Sequence, residues 1–170
     1  MDDTPLKDPA PAADLESGVA DDDRIDLRVW LRLLTCTNLI EQKVRRNLRT
    51  EFDTTLPRFD VLAQIARSPE GQPMRELSRR LMVSNGNITP LIDRLVEEGL
   101  VERNPSPDDR RVQHVKLTRA GKVALDKMIP RHKHWVSAMM GDLSRGQAEE
   151  LYTLLGDLKA SILSDEEDGR

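Results

Sequence analysis

The residues of this chain best suited to act on another molecule fall between Met74 and Leu117. Asn85 and Asn87 carry side-chain amides, which pair bidentately with the edge of adenine, and Thr89 offers a methyl group to thymine. Near them Arg79, Ser84 and Arg94 supply two guanidinium groups and a hydroxyl. Such groups suit phosphate oxygens, which position a protein on a duplex without reading its sequence. Farther along, Asp109-Arg110-Arg111 sets a carboxylate beside two guanidinium groups in a polar stretch with prolines on either flank of Ser106. Each has a plainer reading: Asn87 as a local helix cap, and the Asp109-Arg110-Arg111 run as a solvated charged turn. Taken together, the types point to contact with a nucleic-acid surface.

Those side chains need elements to hold them. Met74, Leu77 and Leu81 recur at helical spacing, so residues 74–81 are expected to form a short helix with one apolar face. Val83-Ser84 breaks it, and the Ser84 hydroxyl can cap a second helix by accepting an orphan backbone N–H. Ile88, Leu91, Ile92 and Leu95 form the buried stripe of that helix, which leaves Asn85, Asn87, Thr89, Asp93 and Arg94 on the other side. Gly99 stands where a left-handed residue ends a helix. Residues 100–103 and 112–117 read as two strands around a polar loop, 104–111. The expected unit is a winged helix-turn-helix.

Pro90 leaves one point open, because it removes the hydrogen bond to the Gly86 carbonyl at a typical cost of ~3 kcal/mol in a helix interior. Either the helix starts at Ser84 and is kinked, or its regular part starts at Thr89. Gly86 itself would allow close approach to the backbone of DNA or of the preceding helix.

The rest of the chain is helical by pattern. Residues 26–49 form a long helix, with Val29, Leu33, Ile40, Val44 and Leu48 on one side and arginines on the others. Pro57 opens a helix in which Phe59, Leu62, Ile65 and Ala66 face inward, and residues 68–71 form a turn. Thr118 caps a helix over 119–137, where Pro130 predicts a kink or break near Ile129. Leu151, Leu154, Leu155, Leu158 and Ile162 make a broad apolar face on a last helix, 147–163. That face is too wide for one lobe to cover and calls for a symmetry mate.

Among the 170 residues, 38% are hydrophobic and 33% charged, which fits one helical domain with a modest core. The net charge of −4 conceals a division. Residues 1–24 hold eight acidic and two basic residues, and residues 161–170 hold four and one. The segment between them is therefore net +5, and local charge governs attraction to phosphate. Residues 1–24 are expected to be a disordered acidic tail and 164–170 a second tail. No apolar run nears the ~20 residues of a membrane span, and no leader pattern opens the chain, so a cytoplasmic protein is expected. No nucleophile elbow, phosphate loop or zinc spacing occurs. His132, His134 and Cys36 belong to no metal cluster, so neither an enzyme nor a cofactor or metal site is expected.

The run Leu81-x-Val83-Ser84-x-Gly86-Asn87-Ile88-Thr89, with Asp93-Arg94-Leu95, Gly99-Leu100-Val101-x-Arg103, Asp109-Arg110-Arg111 and Leu117-Thr118-x-x-Gly121, resembles the MarR family over roughly residues 27–163. The resemblance implies a mainly α homodimer in which a winged helix-turn-helix binds palindromic double-stranded DNA. It implies dimerisation through residues 25–56 and 119–163, a DNA-binding lobe at 57–118, and Asp109 holding one arginine while Arg110 enters the minor groove. Residues 27–34 and 52–60 are similar to a branch answering aromatic acyl-CoA thioesters such as hydroxycinnamoyl-CoA. That likeness would place an aryl group near Trp30, Phe52, Thr55 and Phe59, and phosphates near Arg28, Arg32 or Arg46. On residue type alone Arg45, Arg46 and Arg49 read slightly better as a solvated face. A free phenolic acid is the alternative effector. A further one is oxidation of Cys36, which otherwise reads as a packed small hydrophobe.

Overall fold

The computed structural model describes residues 25–105 and 112–168, which fall into two compact units, residues 1–46 and 47–170. The expected tail 1–24 and Asp109, Arg110 and Arg111 lie outside the described residues. Helix α1 (Ile25–Phe52) supplies all the described part of the first unit and leads into the second. The second unit continues with α2 (Leu56–Ala66), β1 (Gln72–Pro73), α3 (Met74–Arg80), α4 (Asn85–Glu97), β2 (Val101–Pro105), β3 (Gln113–Leu117), α5 (Arg119–Met139) and α6 (Arg145–Asp168). This is the mainly helical winged-helix class that the sequence patterns call for. No described helix is long and apolar enough to cross a membrane.

The core of the second unit forms where apolar stripes converge. Leu62 and Ile65 of α2, Leu77 of α3, Ile88, Ile92 and Leu95 of α4, Val115 of β3 and Leu125 of α5 are almost fully buried. The sheet has the order β1-β3-β2, all antiparallel, with Val101 opposite Leu117 and Pro105 opposite Gln113. Leu91, Met74 and Leu81 are only half-buried, and Ala66, expected inside, is exposed.

Several boundaries differ from expectation, each for a local reason. Helix α1 runs past residue 49 to Phe52, because Asp53 adopts φ 47° and lets the Thr54 N–H reach back to the Leu48 carbonyl. Aspartate tolerates that left-handed turn better than most residues. Phe52 is thus the last helical residue. Strand β1 was not expected; its two residues join the sheet only by pairing with Val115 and His114. Pro130 does not break α5, which is continuous from Arg119 to Met139. Helix α6 continues through 164–168, so the second expected tail is helical over those residues. Cys36 is exposed rather than packed.

Two joints fix the helix-turn-helix segment. Between α3 and α4, Met82 takes φ 54°, and Val83 N–H donates to the Ser78 carbonyl at 3.0 Å. A left-handed non-glycine residue is disfavoured by roughly 1–2 kcal/mol, and Met82 is 91% exposed, so packing returns little. After α4, Gly99 at φ 72° closes the helix as expected. Thr118 then donates from its hydroxyl to the Gly99 carbonyl (2.6 Å) and accepts from the Gly121 N–H (3.0 Å). A Cβ on Gly121 would fall 1.9 Å from the Leu100 carbonyl oxygen, so only glycine fits there without backbone movement.

Opposite stability changes follow at these joints. Met82→Gly should stabilise the protein by about 0.5–1 kcal/mol, the strain relieved less the extra freedom of glycine when unfolded. Gly121→Ala should destabilise it by about 1–3 kcal/mol. Urea titrations of both variants check this; a stabilised Gly121→Ala would contradict the close approach.

Candidate nucleic-acid interface

Helix α4 is held on one side and open on the other. Ile88, Ile92 and Leu95 are at most 1% exposed, while Ser84, Gly86, Asn87, Thr89, Pro90 and Arg94 are exposed. The amphipathic spacing therefore places the expected base-reading residues on the outer face. Nothing is described of the Asn85 side chain beyond its place as the first helical residue. The helix begins at Asn85 and passes through Pro90, which decides between the two starts open from sequence. Among the described residues outside its own helix turn, the nearest atom to a side chain built at Gly86 is the Ser84 hydroxyl, at 3.9 Å. Close packing on the preceding helix is thus not its role, and an approaching partner's backbone has room.

Ser84 caps the helix by accepting the Asn87 N–H at 3.3 Å. Asn87 joins the cap through its backbone, and its side-chain amide extends from an exposed position. The first turn contains no acidic residue, so the helix N-terminus keeps its partial positive charge toward any anion outside.

Ion pairs fix the direction of this helix. Arg103 of β2 contacts Asp93 at 2.6 Å, joining the wing to the recognition helix. At the far end, Arg58 of α2 grips Glu98 with both guanidinium branches, one at 2.7 Å. The hydrogen bond from Arg58 holds the Glu98 carboxyl below its usual range, and the same contact raises Arg58. Arg79 is paired rather than poised: Glu76 sits 2.6 Å away and also contacts Arg80 at 2.6 Å. Hydrogen bonds from Arg80 and then Arg79 lower the Glu76 pKa. Such exposed pairs are worth only ~0.2–1 kcal/mol, so a phosphate can compete for Arg79 at small cost.

Residue types alone did not single out Arg75 and Gln113 as neighbours of Thr89. Met74, Arg75, Thr89, Arg103 and Gln113 line a cleft of about 370 Å³ where α3, α4 and the wing meet. Arg75 and Gln113 are both exposed there. Signals existed in sequence, since Arg75 opens the helix before the recognition helix and Gln113 opens the returning strand.

The residues expected to take an effector fall in both units. In the first unit, Arg28 and Arg32 share a small cleft of about 60 Å³ with Ile25 and Val29. That is far below the ~300–1,000 Å³ of typical ligand pockets. Trp30 does not line it and is 57% exposed, and Arg46 is exposed farther along α1. In the second unit, Phe59 is buried with its ring 4.7 Å from that of His132. His132 lies 6.5 Å from Trp135, which is 6.2 Å from Phe52. Thr55 is the exposed N-cap of α2 and makes no side-chain cap bond. Phe59, Asp60, Gln64, Arg67, Leu81 and His132 border a cleft of about 490 Å³. His132 and Trp135 thus join this aromatic group unforeseen. Burial lowers the His132 pKa, favouring the neutral ring. Beside it, Arg131 donates to Glu51 at 2.7 and 3.1 Å. No group of His, Cys, Asp and Glu suited to a metal occurs among the described residues.

Comparison with known proteins agrees with this geometry. Residues 54–112 match the sequence model of the MarR family. An uncharacterized HTH-type transcriptional regulator of Bacillus cereus is 32% identical over 135 residues, 79% of this chain and 88% of that protein. The transcriptional activatory protein BadR of Rhodopseudomonas palustris is 31% identical over 120 residues, 69% of this chain and 68% of that protein. A mutant of MarR from E. coli, solved in complex with operator DNA, superposes with a TM-score of 0.71 at 26% identity, covering 81% of this chain and 99% of that one. The chain belongs to the MarR family of DNA-binding transcriptional regulators.

Proposed function

We propose that the protein is a homodimeric repressor that binds a palindromic operator and is released by a small aromatic effector. The observation that carries the DNA-reading part is the outward face of α4, with Asn87 and Thr89 exposed on a helix whose opposite side is buried. On this reading Asn85, Asn87 and Thr89 meet base edges, while Arg79, Ser84 and Arg94 meet phosphates. Arg110, oriented by Asp109 with Arg111 beside it, enters the minor groove, where a narrow A·T-rich stretch attracts guanidinium. Residues 57–118 serve as the DNA-binding lobe, and residues 25–56 and 119–163 serve dimerisation. The exposed apolar stripe of α6 supports the dimer, since its five residues stay 39–59% exposed in a single chain.

For the effector, an aromatic acyl-CoA thioester comes first and a free phenolic acid second, in a cytoplasmic setting. The Phe59 and His132 cleft supports an aryl group, with Phe52, Thr55 and Trp30 as further candidates on residue type. Arg28, Arg32 and Arg46 are the proposed phosphate readers, because guanidinium binds phosphate bidentately. The exposure of Cys36 favours a second reading, release by oxidation of that thiol. The activatory relative keeps the sign of regulation a matter for a reporter assay.

Three outcomes test this reading. Footprinting should show a protected palindrome with half-site centres ~10 base pairs apart; a single half-site held by a monomer would remove the dimer. Across a library of sites, Asn87→Ala should cost ~1–3 kcal/mol and relax one base position. Arg94→Ala should weaken all sites alike and flatten the salt dependence, so identical profiles would refute the division of roles. With hydroxycinnamoyl-CoA present, wild-type DNA affinity should fall roughly 5–150-fold, the usual span of coupling. The Arg28→Ala/Arg32→Ala variant should bind DNA normally and ignore the thioester. Equal release in both proteins would acquit these arginines, and peroxide-dependent release lost in Cys36→Ser would favour the thiol instead.

A further inference from the structure

The turn between α3 and α4 breaks two local rules at one residue. Met82 holds φ 54°, a left-handed backbone that glycine, asparagine and aspartate adopt far more readily. It is also the most exposed of the described large apolar residues, at 91%, with Val83 exposed beside it. Water alone would favour glycine or a small polar residue at such a position. The backbone around Met82 imposes its conformation: its N–H donates to the Arg79 carbonyl at 3.1 Å, and Val83 N–H donates to that of Ser78 at 3.0 Å. Those bonds hold the turn while almost the whole methionine side chain stays in solvent. Strain that the chain itself does not repay clusters where a residue meets a ligand.

The neighbours indicate which ligand. Arg79 precedes the turn, Ser84 and Asn87 follow it, and all three are exposed. They are the residues assigned above to phosphates and base edges, so this inference rests on that reading of α4. A docking protein calls for a broad apolar patch, whereas Met82 and Val83 stand between an arginine and the polar first turn of a helix. The apolar tip is continuous with the face assigned to DNA. We propose that Met82 is a DNA-contacting residue whose thioether chain packs against the carbon surface of the duplex, a thymine methyl or the deoxyribose edge. Methionine is unbranched and adapts to irregular surfaces, and thymine carries a methyl group into the major groove. Bound DNA covers a side chain that the free protein leaves wet, so the strain of the turn is offset on the duplex rather than within the fold.

The test uses the full chain and a duplex that the wild type selects from a random-sequence library. Met82→Asn and Met82→Gly both accept the left-handed backbone and both lose the apolar chain. Each should weaken binding to that duplex roughly tenfold, the lower end of what burying a methionine is worth, while melting no lower than the wild type. Met82→Leu, which keeps an apolar chain, should retain most of the affinity. The salt dependence should be the same in all four proteins, because no phosphate contact is lost. Single thymine-to-deoxyuridine replacements identify the source of the contact. With a methyl contact, one replacement weakens the wild type and does nothing further to Met82→Asn; with a deoxyribose contact, no replacement distinguishes the two proteins. Wild-type affinity in both Met82→Asn and Met82→Gly would overturn the proposal. A loss in Met82→Leu as large as theirs would do the same, as would a loss in step with lowered melting. Asn87→Ala separates this inference from the reading beneath it. Weakening in Asn87→Ala with none in the Met82 variants removes Met82 alone; weakening in neither removes α4 from the DNA and Met82 with it.

Discussion

Everything in the DNA-reading lobe depends on fixing α4 by one face while its other face stays in water. Burying a side chain such as Ile88, Ile92 or Leu95 is worth about 1.5–3 kcal/mol, and all three are essentially sealed from solvent. The Asp93–Arg103 and Arg58–Glu98 pairs keep part of their surface exposed, so each adds at most about 1 kcal/mol. The apolar stripe therefore supplies the stability, and the ion pairs supply the direction. One tethers the helix to the wing and the other to α2, which restrains rotation that a greasy stripe alone would permit. The exposed positions of Asn87 and Thr89 thus follow from the buried stripe on the opposite face of the helix.

Pro90 is tolerated for a reason that spacing does not reveal. It removes a donor to the Gly86 carbonyl, and a buried carbonyl left unpaired would be expensive. Gly86 and Pro90 are both exposed, however, so water can serve the orphaned oxygen. The helix accordingly passes through the proline on its wet side. The same reasoning covers Pro130, also exposed, within the continuous α5. Proline position along the chain predicted two defects; proline position around the helix decides that neither ends it.

Much of the fold was legible because period and capping chemistry agreed. The stripe of α4, the Ser84 and Thr118 caps and the Gly99 terminus each follow from a side chain acting within a few residues. What sequence missed depends on distant partners. Gln72-Pro73 is a strand only because β3 lies beside it, and Gln72 is buried with its amide donating to the Gln64 carbonyl at 3.0 Å. Arg103 was legible as a motif residue but not as the partner of Asp93. In α2, Ala66 falls on the helical stripe yet ends the helix in solvent, while Gln64 is buried. The aromatic sequence Phe59, His132, Trp135 and Phe52 joins residues some eighty positions apart. No local rule would have added His132 and Trp135 to the two phenylalanines.

Helix α6 presents the complementary problem, order without cover. Every residue from position 141 to 164 is exposed in the single chain, including the five apolar residues of its stripe. Most helices in proteins owe their stability to packing an amphipathic face rather than to propensity, and α6 has a glycine at position 156 in its interior. Its acidic end, residues 165–168, reads as tail by composition, yet the helix reaches Asp168. A helix this long without cover has little reason to persist alone. On the dimer reading, its apolar face finds cover only on association, so folding of α6 and pairing of chains become one equilibrium. Operator affinity would then depend on protein concentration through the stability of α6 itself. A substitution such as Leu155→Ala, far from any base, would weaken DNA binding by lowering the population of paired lobes rather than by altering either lobe's grip.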